Sequence, residues 1–134
     1  MKRLLSIVGV IAVLGIAQTA SALSLSWDPY TEDPTFKEFR FYRAMGTLCG
    51  IPTYSLPPLM EGTKQFTVTK GLPTTPQTVT DTTLPSTQQG LVCYEMTAVN
   101  TNGTGILESR RSNRAFKLIQ PGDMLSPQTL SIVP

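Results

Sequence analysis

Proline, glycine and asparagine interrupt this chain roughly every ten residues, and between the interruptions apolar and polar residues alternate with a period of two. No repeat, heptad or helical 3.6-residue period appears beyond residue 22. Such a chain has short strands to build with and little else, so the reading is all-β, an antiparallel sandwich. Residues 23–27 alternate strictly, placing Leu23, Leu25 and Trp27 on one buried face, and stop at Asp28-Pro29. Residues 36–44 put Phe39 and Phe41 on one face and Arg40 and Tyr42 on the other, ending at Gly46. Pro52, Pro57 and Pro58 then exclude both a central strand and a helix.

Residues 63–70 resume alternation through Phe66 and Val68 and read as an edge strand, followed by a threonine-rich strand over 77–83 that carries Val79. The stretch 91–100 has two unlike faces. Val92, Tyr94, Met96 and Ala98 form a core face; Cys93, Glu95, Thr97 and Val99 form a mostly polar one. A run of Asn, Gly and Thr over 100–105 is a turn. Residues 106–111 continue that loop or begin the last strand, which is read over 112–119. The tail, 120–134, holds three prolines but ends in Leu130, Ile132 and Val133, residues a solvated tail avoids.

The first 22 residues are an address. Lys2 and Arg3 precede an apolar run over 4–17, and Ala20-Ser21-Ala22 supplies the small residues read by a signal peptidase, so cleavage after Ala22 and a bacterial secreted or periplasmic destination are expected. The run is shorter than the roughly 20 apolar residues of a membrane anchor, and no span is expected after cleavage. Three sections follow: a leader over 1–22, one domain over 23–119 and a proline-containing tail over 120–134. Lys2 and Arg3 account for two of the eleven basic residues, so the remainder balances nine against nine acidic ones. Bulk charge gives no reason to expect a nucleic-acid partner. Cys49 and Cys93, an even pair in an oxidising compartment, are expected to form a structural disulfide rather than a redox pair, which is usually a close C-x-x-C.

The segments in order, L-S-W-D-P at 25–29, F-R-F-Y-R-A at 39–44, V-T-D-T at 79–82 and Y-E-M-T-A-V-N at 94–100 with Ser112-Asn113 following, resemble a bacterial fibronectin type III domain. The resemblance implies an immunoglobulin-like sandwich with Trp27, Phe39, Phe41, Tyr94 and Met96 in the core. Three departures stand out. Val92 falls where the family has its strand F tyrosine, with Tyr94 two residues on; Lys117 falls at an apolar position of the last strand; and the family's first strand is missing. The missing strand leaves an edge at 23–27, which the chain's own tail or an extended segment of another molecule could cover.

Chemistry is sparsely signalled. There is no histidine, no G-x-S-x-G or S-x-x-K and no glycine-rich phosphate loop. Asp28, Glu32 and Asp33 match no calcium loop, and no catalytic residue, metal or cofactor is expected. The residues left for a contact surface are Tyr42 and Tyr54 as exposed rings, Asn102 in the turn, and Arg110 and Arg111, which with Arg114 form a basic cluster on an exposed strand. The expected function is a non-enzymatic exported module making protein or polysaccharide contacts through 100–111 and 49–60. The alternative is a structural subunit that forms homo-oligomers by edge-strand exchange through the tail.

Overall fold

The computed structural model describes residues 23–28, 34–61, 64–69, 77–125 and 128–133. The leader expected over 1–22, together with Glu32 and Asp33, lies outside the described residues. The described chain is all-β apart from two short 3-10 turns, Gly46–Gly50 and Asp123–Leu125.

The smaller sheet has three strands, with β1 (Leu23–Trp27) between β6 (Gln77–Asp81) and β10 (Gln128–Ile132). Its alternation is clean. Leu23, Leu25 and Trp27 are buried, while the outward positions are all hydroxyl-bearing: Ser24, Ser26, Thr78, Thr80, Thr129 and Ser131. β6 pairs antiparallel with β1, and β10 pairs parallel with it, Leu23 opposite Gln128 and Trp27 opposite Ile132. The β1 edge that the sequence reading left open is thus covered by the chain's own tail.

The larger sheet is built on β2 (Phe36–Met45) and the 13-residue β7 (Gly90–Asn102), which pair antiparallel along most of their length. Each flank of this pair is a broken column. On the far side of β7, β8 (Gly105–Glu108) pairs with its C-terminal part and β9 (Ala115–Ile119) with its N-terminal part. On the far side of β2, Pro58 bridges Tyr42, and β5 (Thr67–Thr69) then continues along residues 38–40. Between Pro58 and β5 the chain makes a small hairpin of β3 (Met60–Glu61) and β4 (Lys64–Gln65), its neck closed by Phe66 N–H on the Leu59 carbonyl at 2.7 Å. The strand expected over 63–70 is therefore split at Phe66, whose buried ring packs on Phe41.

The two sheets face each other across one core. The Trp27 indole lies edge-on to Phe39 at 5.3 Å and tilted to Phe41 at 5.4 Å, with Tyr94, Met96, Ile119, Met124 and Ile132 around them. A register shift between Phe36 and Glu38 turns Phe36 onto the same face, 4.7 Å from Phe39.

Three boundaries differ from the sequence reading by two residues or more. The strand expected at 91–100 runs to Asn102, because Gly103, at φ +54, allows a two-residue hairpin into β8. The threonine-rich strand stops at Asp81, two residues early. The last strand begins at Ala115, because residues 109–114 leave the sheet.

Candidate functional site

Neither face of β7 is free. Cys93, Glu95, Thr97 and Val99, expected on a mostly polar face, are all buried: residues 46–59 cross the outer side of the larger sheet at Cys93, Arg114 ties Glu95 to them, and Thr97 bonds Glu108. Gly46, at φ +67, lets β2 turn into the first 3-10 turn, and that turn carries Cys49 over β7. Cys49 and Cys93 are joined in the disulfide the even count predicts, with Cα atoms 5.7 Å apart. Beneath the crossing lies a second small core of Tyr42, Ala44, Cys49, Leu56 and Cys93.

A proline-rich segment has few ladder bonds of its own, so its carbonyls need other donors. Arg114 supplies them. Its guanidinium donates to the Cys49 carbonyl at 3.0 Å, the Ile51 carbonyl at 2.9 Å and the Tyr54 carbonyl at 2.7 Å, and it pairs with Glu95 at 3.2 Å. Arg111 donates to the Leu56 carbonyl at 2.7 Å and stacks on Tyr42, its guanidinium carbon 3.4 Å from the ring centroid. Tyr42 donates its hydroxyl to Glu108, which also accepts from Thr97 at 2.6 Å and from Arg40 at 3.2 Å. Burial works to raise the Glu108 carboxyl, but the Thr97 and Tyr42 bonds and Arg40 outweigh it and hold the group below the ordinary carboxylate value. Burial and the Glu108 bond raise the Tyr42 phenol.

Both arginines come from the strap over 109–114. Its spacing from β7 is set by two serines, whose hydroxyls replace backbone partners. Ser109 Oγ accepts from the Ala98 N–H and Ser112 Oγ from the Met96 N–H, both at 2.9 Å, while their own amides donate to the carbonyls of Ala98 and Met96 at 2.8 Å. Arg110 and Arg111 sit at the top of the resulting bulge.

A second polar group spans the core between the sheets. Asp81, fully buried at the end of β6, accepts from Arg43 and from the Tyr94 hydroxyl, each at 2.7 Å, and from the Thr83 amide and hydroxyl. Burial alone would raise its carboxyl, yet the bonds from Thr83, Tyr94 and Arg43 lower it. The Tyr94 phenol is raised, chiefly by burial and then by Asp81. Tyr94 thus anchors to a carboxylate side chain on the opposite sheet.

The expected contact residues fare unevenly. Tyr42, read as an exposed ring, is buried under Arg111 and the loop, and Tyr54 is half-buried with its carbonyl taken by Arg114. Arg111 and Arg114, read as part of a basic cluster on an exposed strand, turn their guanidinium groups onto the loop instead, Arg111 while still exposed and Arg114 half-buried. Arg110 is exposed, and Asn102 is exposed at the hairpin. Lys117 lies on the inward parity with Ile119, while Phe116 and Leu118 point outward and are about half exposed. The residues not singled out from sequence are Met45, Leu48, Ile51 and Met60, each exposed. Met45, Leu48 and Met60 edge a groove of about 350 Å³ that Tyr54, Pro57 and Pro58 also line.

Among the described residues no three or more His, Cys, Asp or Glu side chains gather as metal ligands, and no helix is long and apolar enough to cross a membrane. The disulfide sulfurs are buried beneath the loop. No family model, curated protein or solved structure matches this chain.

Proposed function

We propose that this chain is an exported, non-enzymatic sandwich module of the fibronectin type III kind, and that it contacts a protein through the clasped loop over 45–60. The fold reading is supported by the order of the strands: β1 and β6 on one sheet, and β5, β2, β7 and β9 on the other, in the order the family places B with E and C′ with C, F and G. The single observation carrying the functional reading is the exposure of Met45, Leu48, Ile51 and Met60 on a segment held by a disulfide and two arginines. Large aliphatic and adaptable thioether groups presented on a tethered backbone suit an apolar protein surface, since the segment itself needs little ordering on binding. A polysaccharide would be met by exposed rings, and among the described residues Phe116 is the one exposed aromatic side chain.

A photo-crosslinking side chain placed at Leu48 or Met60 in the exporting cell tests this, with Thr78 on the opposite sheet as control. The loop positions are expected to give a discrete protein adduct that Thr78 does not, and Met45→Lys with Ile51→Glu should abolish it. Equal labelling from all three positions, or adducts to carbohydrate alone, would overturn the assignment.

A further inference from the structure

The two-residue bulge at Arg110 and Arg111 leaves a space as well as a strap. On the core side of the bulge lies a cavity of about 280 Å³, separate from the loop groove. Phe39, Met96 and Ala98 of the main core form its apolar floor, and Ser109, Arg110 and Ser112 border it. The serine hydroxyls are committed to β7 and to the carbonyls of the residues that follow them. Thr97 and Arg111 line the cavity too, but the Thr97 hydroxyl is spent on Glu108 and the Arg111 guanidinium on the Leu56 carbonyl and the Tyr42 ring, which leaves Arg110 as the uncommitted cation.

That cation differs from its neighbours. Arg40 pairs with Glu38 and Glu108, Arg43 with Asp81, Arg111 with the Leu56 carbonyl and Tyr42, and Arg114 with Glu95 and three carbonyls. Among the described residues Arg110 alone of these arginines has no carboxylate or carbonyl partner for its side chain; it is exposed, as Arg111 is. One uncommitted guanidinium at the mouth of an apolar recess matches a ligand with one negative charge and an apolar body, since a planar fork of donors complements a carboxylate.

We infer that the cavity beneath the 109–112 bulge binds a monocarboxylate with an apolar body, Arg110 taking the carboxylate while the body rests on Phe39, Met96 and Ala98. The same chemistry comes as a free small acid or as an acidic residue beside an apolar one in a peptide. The site is independent of the loop groove.

Amide NMR titration of the ¹⁵N-labelled protein spanning 23–134 tests this with two probes: phenylacetate, and an acetylated and amidated Ala-Phe-Asp-Ala peptide. At least one is expected to shift the amides of 96–98 and 109–112 in a saturable way. The same probe should bind Arg110→Gln at least tenfold more weakly, with Arg110→Lys intermediate. The tighter probe names the source. Phenylethanol, which lacks the charge, should behave toward the native protein as phenylacetate does toward Arg110→Gln. Unchanged melting temperature and amide spectrum in the unliganded variant keep a folding defect from imitating the result. Shifts scattered over the surface, saturation unaffected by Arg110→Gln, or no saturable shift with either probe would overturn the proposal.

Discussion

Arg114 illustrates how much one side chain can hold. Its guanidinium fills the inside of the 49–54 bend and meets three carbonyls and a buried carboxylate, so truncation strands several acceptors at once. Arg114→Ala is expected to cost about 3 kcal/mol in denaturant unfolding, a magnitude appropriate to breaking a buried charged pair. Amide exchange should quicken over 49–56, with the disulfide intact. Arg114→Lys should recover less than half of the loss, because an ammonium cannot reach both sides of the bend. Asp81 poses the same question between the sheets. Asp81→Asn removes the charge that Arg43 and Tyr94 face and should cost about 3 kcal/mol by the same reasoning. Tyr94→Phe, which leaves the ion pair intact, should cost nearer 1 kcal/mol in the same denaturant titration.

Among the elements, the tail strand and the disulfide make the clearest predictions. β10 covers the β1 edge and puts Ile132 in the core, so deleting residues 127–134 should lower the melting temperature by 10 °C or more, about 2 kcal/mol or above for a domain this small. Light scattering on both forms then separates the two functional readings. A monomer before and after deletion fits a self-contained module, whereas an oligomer that disperses on deletion fits assembly by tail exchange. Reduction of Cys49–Cys93, which are 44 positions apart, should cost about 4 kcal/mol by loop entropy, read as a shift in the denaturant midpoint. The strictly alternating strand 23–27 was readable because its neighbours change only the depth of burial, and so was the inward face of 36–44 through Phe39 and Phe41. The split columns were not. Phe66 is apolar whether it continues a strand or closes a hairpin neck, and the S-R-R-S run at 109–112 reads as loop or strand until β7 is there to donate its amides to the serine hydroxyls. Tyr42 misled for a related reason: an outward parity signals solvent only when nothing later in the chain returns over that face, and the prolines of 52–58 forbid a central strand without forbidding a cover.

For the whole molecule, the carboxylates and phenols set the range of stability against pH. Asp81 and Glu108 titrate below their ordinary value in the folded protein, so their contribution is present above about pH 4 and is lost as pH falls through the lowered values. Tyr42 and Tyr94 titrate above theirs, so their contribution is present below about pH 10 and is lost at higher pH, as the unfolded chain ionises first. Melting temperature measured from pH 2 to 11 should show a plateau with a fall at each end. Asp81→Asn should flatten the acid fall and Tyr94→Phe the alkaline one. The parallel register of β1 and β10 has a mechanical consequence. Leu23 and Ile132 lie at opposite poles of adjacent strands, so tension applied between them slides one strand along the other and strains all the bonds joining them together. A module loaded this way resists traction far better than one whose end strands peel apart a bond at a time.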